Sequence, residues 1–304
     1  MDRTVGIGAT DVPAIMKLYF EGEEYHTFST PVEVWQDKLG LSEACKPNDS
    51  MELGLILESY VAKKYAEKTG YKVEMPATQI PLTHPKYPFI RPHIDRWVLN
   101  EQLRFLLECK TGGWWVMKDY GEEGTDDMPV PYKMQCATER MCAGVPCVDL
   151  ALLVDSKMRY FRYETDAELE EKIEFACCKF KEQYLDTRKQ PPALTDGDIK
   201  KLRFHDNGQS IEAVPTVLEL CQKIKFLKET IKKYSEEEKR YSVLVKDFMK
   251  NNSMLLDSAG KVLATYKESK QVEAVDKKKL AADFPDVYEQ VKKLNNAARP
   301  LLIK

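Results

Sequence analysis

The sequence predicts an α/β protein, with a mixed sheet flanked by helices and a mainly helical C-terminal extension. Two observations predict this fold class. Between residues 50 and 164, one helical pattern precedes three strand-like runs, and a second helical pattern precedes two more. Beyond about residue 210, the chain changes to a long charged helix with regularly spaced apolar residues. We therefore expect one domain over residues 1–190 and a helical extension with a short hairpin over residues 191–304.

The elements of the first domain follow from the spacing of their apolar residues. Helical spacing predicts helices near residues 50–69, 132–144 and 167–186, and prolines 191 and 192 follow the last of them. Segments of alternating or continuous apolar residues predict five strands. These strands cover residues 71–81, 88–99, 103–111, 148–154 and 158–164.

Two acids and a lysine fall on one face of a predicted hairpin. A two-residue turn at residues 100–101 would join the second and third strands so that Asp95 faces Leu106. Side chains on one face of a strand recur at every second position, so Glu108 and Lys110 share the face of Asp95. Diagonal neighbours lie about 7–8 Å apart, which lets two carboxylates converge on one cation. A register changed by one residue would separate them.

A third acid, Glu58, lies on the helix predicted over residues 50–69. It shares a helical stripe with Met51, Leu55, Ala62 and Tyr65. Because an unpaired buried charge is costly, an acid within an apolar stripe needs a partner. A hydrated metal ion would supply one.

These residue types suit phosphodiester hydrolysis with magnesium. Mg²⁺ prefers oxygen ligands and is usually held by one or two carboxylates, waters and substrate phosphate. Asp95, Glu108 and the carbonyl of Cys109 are the expected ligands, with Mn²⁺ as a possible substitute. Lys110 would contact the attacking water and the phosphate, and Gln135 would orient the nucleophile or Lys110. The alternative is a solvated strand face, which is how charged residues on strands usually occur.

The N-terminal segment has features of a phosphate-binding turn. Gly6 and Gly8 allow close approach of the backbone, and Thr10 is expected to cap a helix beginning near Asp11. A helix N-terminus attracts phosphate. The alternative is a simple capped helix with Arg3 in solvent.

A long polar connection covers residues 112–131. Loops of this length within a domain are usually functional or disordered. Trp114 and Trp115 lie in it and could stack on bases or wedge between strands at a DNA end. Packing against the adjoining helix is the alternative.

The C-terminal extension carries a coiled-coil-like pattern. Its apolar residues recur at alternating intervals of four and three, at Leu220, Ile224, Leu227, Ile231 and Tyr234. A hairpin over residues 254–269 and a final helix over 276–294 are predicted to follow. This part is expected to mediate oligomerisation, DNA contact or partner docking, or simply to form a helical cap.

Composition is consistent with a soluble enzyme. The 304 residues include 46 basic and 49 acidic ones, so DNA contact must use a local basic lining and not a global field. We find no leader and no apolar run near the roughly 20 residues that span a bilayer, so we expect a cytoplasmic protein without membrane contact.

Several motifs occur together in the order found in one family. They are R-x-x-x-I-G-A-T-D at residues 3–11, T-P-V-E-V-W-x-x-K-L-G at 30–40, M-E-L-G-x-x-x-E at 51–58, H-I-D at 93–95, E-C-K at 108–110 and Y-K-M-Q at 132–135. In this respect residues 1–190 resemble the YqaJ-type viral recombinases, which are relatives of lambda exonuclease in the PD-(D/E)XK nuclease superfamily. The resemblance implies the nuclease core fold.

The resemblance also implies roles for individual residues. Asp95, Glu108 and Glu58 would serve the metal ions, Lys110 would be the catalytic lysine and Gln135 the helix glutamine. Arg3 and Thr10 match the positions that hold the 5′-phosphate of the DNA end, although the family usually has serine where Thr10 stands. Tyr132, within the motif of Gln135, is assigned to DNA binding.

The expected function is therefore that of a Mg²⁺-dependent 5′→3′ exonuclease on duplex DNA ends, which leaves 3′ single-stranded tails for phage-type recombination. The resemblance implies a single-strand annealing protein as partner and a homotrimer. The alternatives are an endonuclease of the same superfamily and a non-catalytic protein that binds DNA ends.

Overall fold

The chain forms two compact units, Met1–Arg203 and Phe204–Lys304. The computed structural model describes residues 6–20, 25–42, 48–78, 80–202, 206–269, 275–293 and 301–302. In the first unit the helices are α1 (Val12–Met16), α2 (Pro31–Lys38), α3 (Asp49–Thr69), α4 (Val130–Ala143), α5 (Ala167–Phe180) and α6 (Asp196–Leu202). Its strands are β1 (Lys72–Glu74), β2 (Arg96–Leu99), β3 (Arg104–Gly112), β4 (Val148–Val154) and β5 (Lys157–Tyr163).

The five strands form one mixed sheet in the order β1-β2-β3-β4-β5. Neighbouring strands are antiparallel except β3 and β4, which run parallel with Leu106 opposite Val148. The parallel pair needs a crossover connection, and α4 lies within it. The predicted fold class, a mixed sheet flanked by helices, is confirmed.

The two faces of the sheet are covered by different helices. On β3, Phe105 and Leu107 pack with Val61 and Tyr65 of α3, whereas Leu106 belongs to a larger cluster with α1, α4 and α5. This division follows from the two-residue period of a strand. Both faces of the sheet centre are therefore buried, and the β3–β4 pair lies between two helical layers.

The hairpin that joins β2 and β3 differs from the predicted two-residue turn. Asn100 accepts hydrogen bonds from the backbone N–H groups of Gln102 and Leu103 through its side chain, which closes a longer loop. The pairing is consequently displaced by two residues, with Arg96 opposite Leu107. A displacement by two keeps every side chain on its predicted face, so the inference about the acids survives the error in the turn.

Two predicted strands are shorter than expected. The second begins at Arg96 and not at residue 88, and the first ends at Glu74 and not near residue 81. Pro88 and Pro92 interrupt the segment before β2, because proline donates no hydrogen bond to a strand ladder. This segment is held instead by the N-terminus: Ile7 donates to Phe89, and Arg91 donates to Ile7.

The N-terminal turn also differs from the predicted capped helix. A 3₁₀ turn at Ala9–Asp11 precedes α1, and Thr10 lies exposed within that turn without capping a helix. Asp11 takes the bonding role, since its buried carboxylate accepts from the N–H of Gly8 and pairs with Lys38 at 2.6 Å. Gly6 does provide close approach: a Cβ there would lie 2.6 Å from the carbonyl oxygen of Phe89.

The first half of α3 is exposed, contrary to the predicted apolar stripe. Met51 and Leu55 are 49% and 70% exposed, and burial begins only at Val61. Among the described residues, the apolar side chains of its first turns are therefore left largely uncovered.

The second unit is mainly helical, as predicted. It contains α7 (Pro215–Met249), the antiparallel hairpin of β6 (Met254–Leu256) and β7 (Val262–Thr265), α8 (Lys277–Asp283) and α9 (Pro285–Val291). The expected single final helix is two short ones, because Pro285 begins a new helix and cannot continue the old one. The seam of α7 that includes Leu227, Ile231 and Tyr234 is exposed.

Within the described ranges, no helix is both long enough and apolar enough to span a membrane.

Candidate active site

The predicted acids and lysine lie together where β2 begins beside β3. Asp95 directly precedes β2, and its Oδ2 accepts a hydrogen bond of 2.8 Å from the backbone N–H of Cys109. Glu108 and Lys110 lie on β3, with Lys110 Nζ 2.5 Å from Glu108 Oε1. The hairpin register brings these residues together, since extending the pairing of Arg96 with Leu107 by one position sets Asp95 against Glu108.

The two carboxylates share a poorly solvated environment. Burial and, after it, the negative charge of Glu108 raise the pKa of Asp95 to about 8, although the hydrogen bond from Cys109 opposes both effects. Glu108 itself is 4% exposed. Close carboxylates in a buried site repel each other when both are ionised, and a bound cation would relieve this repulsion.

Lys110 is held as a cation. Burial disfavours its charge, but the Glu108 carboxylate and the hydrogen bond to it raise the pKa of Lys110 on balance. Its ammonium also lies 5.4 Å from the ring centroid of Tyr132, within the range of a cation–π contact. Tyr132 in turn stacks on Tyr120 at 6.4 Å between centroids. The lysine is therefore positioned by an acid on one side and an aromatic ring on the other.

Gln135 joins the cluster from α4. Its Nε2 donates to Glu108 Oε1 at 2.6 Å and to Glu139 Oε1 at 3.0 Å. Glu139 is buried one helical turn later, and burial, followed by the charge of Glu108, raises its pKa well above the usual range. The sequence reasoning missed Glu139. The available signal was its spacing, since residues four apart on a helix share a face.

Glu58 has a protein partner that the sequence reasoning also missed. It forms an ion pair with Arg96, whose guanidinium also donates to the carbonyl oxygen of Asp95 at 2.6 Å and to Ser59 Oγ at 3.2 Å. The half-buried Glu58 thus meets an arginine, and its need for a partner no longer requires a metal ion. The signal was strand alternation, which sets Arg96 on the same face as Val98, a buried position.

Glu58 nevertheless lies close to the cluster. Its charge is among the causes that raise the pKa of Asp95. Arg96 therefore links Glu58 on α3 to the start of β2.

Three further predicted residues, Trp114, Trp115 and Thr10, make none of the hydrogen bonds or ion pairs described for this cluster. Trp114 and Trp115 are 71% and 61% exposed on a 3₁₀ turn that directly follows β3, with their rings edge to face. Thr10 is exposed on the N-terminal turn. Arg3 lies outside the described residues.

The donor set is suited to a hard ion that keeps its own waters. Among the described residues, no three His, Cys, Asp or Glu side chains are grouped to hold a metal ion. Mg²⁺ does not need such a cage, because one or two carboxylates with waters and substrate phosphate complete its octahedron. Asp95 and Glu108, with the Cys109 carbonyl, fit that requirement, whereas a structural zinc site would need four ligands.

A mixed sheet between helical layers, with two acids and a lysine beside its central strand, is the arrangement that the resemblance to the PD-(D/E)XK nucleases implied. The comparison with known families agrees with this class. Residues 1–146 match the model of the YqaJ-like viral recombinase domain.

Similar proteins extend the comparison beyond the domain. The chain is 28% identical over 305 residues to the uncharacterized protein YqaJ of Bacillus subtilis strain 168, a match that covers 96% of this chain and 89% of that protein.

Two solved structures are similar to part of the chain. An alkaline exonuclease from Laribacter hongkongensis is 18% identical with a TM-score of 0.44, covering 61% of this chain and 94% of that one. A phage-related exonuclease from Haemophilus somnus 129PT is 12% identical with a TM-score of 0.42, covering 60% of this chain and 96% of that one.

Proposed function

We propose that this protein is a magnesium-dependent deoxyribonuclease that digests duplex DNA from its 5′ ends and leaves 3′ single-stranded tails for recombination. The observation that carries the proposal is the cluster of Asp95, Glu108 and Lys110 on the β2–β3 hairpin. The YqaJ-like viral recombinase domain supports a nuclease of this kind.

The ligands of the ion follow from the chemistry of the cluster. Asp95 and Glu108 would hold Mg²⁺ with the carbonyl of Cys109, and Mn²⁺ would be accepted at the same oxygen ligands. The ion would supply a Lewis acid for the phosphate and lower the pKa of a bound water. Glu58 would act on waters of a second ion, although its ion pair with Arg96 would have to loosen for this.

Lys110 would stabilise negative charge and not act as a base. Its raised pKa keeps the ammonium protonated at neutral pH, so it has three donors and no acceptor. A fixed cation beside the scissile phosphate favours the transition state, in which negative charge develops on the oxygens. Gln135 would orient Lys110 or the nucleophile through Glu108, the acceptor that both residues share.

DNA contact would involve groups around the cluster. Tyr132 lies beside Lys110, and the exposed rings of Trp114 and Trp115 could stack on the bases of a frayed end. Arg3 and Thr10 would hold the 5′-phosphate. We further propose action in the cytoplasm as a homotrimer, with a single-strand annealing protein that receives the 3′ tail.

The decisive experiment compares linear duplex DNA with covalently closed circles of the same sequence, each with Mg²⁺ and with chelator. We expect digestion of the linear form alone, and only with Mg²⁺. Asp95→Ala, Glu108→Ala and Lys110→Ala should each lower the rate by at least about a thousandfold. Glu168→Ala, at an exposed acid on α5, is the matched control and should leave the rate unchanged.

Other outcomes identify the alternatives. Nicking of closed circles would indicate an endonuclease. Tight binding of DNA ends without cleavage, with Mg²⁺ or with Mn²⁺, would indicate an end-binding protein and would refute the proposed activity. Equal digestion of 5′-phosphorylated and 5′-hydroxyl ends would remove Arg3 and Thr10 from their assigned role.

A further inference from the structure

Glu139 is a buried acid on α4 for which neither the sequence motifs nor the proposed chemistry has a role. It is 1% exposed and lies one helical turn after Gln135. A carboxyl group at such a position is costly unless it is hydrogen-bonded, and an apolar side chain would fill the same space at lower cost. The contact that Glu139 does make is with the site itself, through Gln135.

The amide of Gln135 is held from two sides. A primary amide has two N–H protons, and here Nε2 is 2.6 Å from Glu108 Oε1 and 3.0 Å from Glu139 Oε1. Two carboxyl acceptors therefore fix which end of the amide faces Glu108. The nitrogen faces the acid, and the carbonyl oxygen is turned away from it.

Removing one of these acceptors would release the amide. The last torsion of a glutamine side chain is broad and has no strongly preferred rotamer. Without Glu139, rotation of the amide would bring its carbonyl oxygen toward the Glu108 carboxylate, where two acceptors repel. Glu108 would then lose a donor, and its second donor, Lys110, would move with it.

We propose that Glu139 is a positioning residue that fixes the amide of Gln135 and, through it, the Glu108–Lys110 pair. The expected effect of Glu139 on the rate rests on the proposed nuclease function. The hydrogen bond between Gln135 and Glu139 does not depend on that function. Glu139 acts as a hydrogen-bond acceptor in this role. A glutamine in its place retains an acceptor oxygen, whereas a leucine of similar bulk does not.

The kinetic test compares Glu139→Leu with Glu139→Gln. We expect the leucine variant to lower kcat by about ten- to a hundredfold, with KM for DNA nearly unchanged, because no substrate contact is lost. The glutamine variant should recover most of the rate. Thr138→Val is the matched control on α4, since Thr138 is fully buried and its hydroxyl donates to the Met134 carbonyl oxygen of its own helix, and it should match wild type.

A double-mutant cycle separates positioning from general damage. If Glu139 acts through Gln135, Glu139→Leu should add little to the loss already caused by Gln135→Ala. Multiplicative losses would overturn the proposal, as would a glutamine variant as slow as the leucine one.

A measurement on the metal-free protein makes the inference independent of activity. The side-chain NH₂ signal of Gln135, assigned by its loss in Gln135→Ala, should show two well-separated protons that exchange slowly with water. The separation of the two proton shifts and the slow exchange should persist in Glu139→Gln. In Glu139→Leu, both should approach the values of a free glutamine amide. Free-amide values in wild type would overturn the proposal, even if the leucine variant fails to fold. Absence of DNA cleavage would refute the proposed function and leave this test intact.

Discussion

At the scale of single residues, the site places two negatively charged side chains, Asp95 and Glu108, close enough to repel each other. Asp95 and Glu108 lie together, with the cations Lys110 and Arg96 beside them. The sequence predicted Asp95, Glu108 and Lys110 because strand alternation depends on position alone. It did not identify Arg96 as the partner of Glu58, because that contact joins α3 to β2 and depends on how the helix packs on the sheet.

Asp95→Asn should make the metal-free protein more stable at alkaline pH. Burial and the charge of Glu108 together raise the pKa of Asp95 to about 8, so between about pH 4 and pH 8 the folded state binds more protons than the unfolded state. Stability therefore falls as pH rises through that window and levels off above it. Asparagine has no charge to bury, so we expect its Tm at pH 8 to exceed that of wild type by about 2–6 °C, and the difference to vanish near pH 4.

Thermal unfolding with and without Mg²⁺ completes this test. The ion should raise the Tm of wild type at pH 8 but not that of Asp95→Asn, because a ligand stabilises only the state that binds it. Glu168→Gln is the control and should follow wild type at every pH. An equal gain from Mg²⁺ in the asparagine variant would exclude Asp95 as a ligand.

At the scale of elements, hydrophobic period predicted α3, α4, α5 and the five strands of the sheet, but it missed α2 and α6 and did not show where each element ends. The limits of β2 depend on Pro88, Pro92 and the bonds from Ile7, and these involve chain segments about 80 residues apart. The β2–β3 turn was wrong because the Asn100 side chain closes a longer loop. The exposed half of α3 was missed because period alone does not reveal how far a sheet extends beneath a helix.

The two tryptophans of the turn after β3 differ in their contacts with the backbone and in their exposure to solvent. A Cβ on Gly113 would lie 2.2 Å from the ring of Trp115, so that ring is pinned against the backbone, whereas Trp114 is the more exposed of the two. We expect Trp114→Ala to weaken binding of DNA ends by about five- to a hundredfold, since stacking on one base contributes about 1–3 kcal/mol. The protein's Tm should not change.

Fluorescence anisotropy with labelled duplex ends in chelator measures this binding without cleavage. Phe28→Ala removes another exposed aromatic ring from the same unit and is the control. Unchanged affinity in Trp114→Ala would leave Trp114 without a DNA role.

At the scale of the whole molecule, the described residues of the candidate site all belong to the unit Met1–Arg203. The sequence predicted the helical character of the C-terminal part from the apolar spacing of α7. The sequence could not predict the packing partner of the α7 seam. Heptad spacing is found both in helices that pair with another chain and in helices that cap their own fold.

A fragment of residues 1–203 should fold on its own and respond to Mg²⁺. The sheet, both of its helical layers and the cluster around Glu108 are complete within it. We expect cooperative unfolding and a Mg²⁺-dependent rise in Tm within about 2 °C of the rise for the full chain. Calorimetry of both proteins measures this. A fragment that is unfolded, or folded but indifferent to Mg²⁺, would show that the C-terminal unit completes the site.

The parallel pairing of β3 with β4 has a consequence for the newly made chain. Proteins are synthesised from the N-terminus, so Asp95, Glu108 and Lys110 leave the ribosome well before the strand that must lie beside them. Until residue 154 has emerged, β3 lacks its parallel neighbour β4, and α4 cannot pack against the completed sheet. A half-made chain therefore contains Asp95, Glu108 and Lys110 before the strand that completes the sheet beside them.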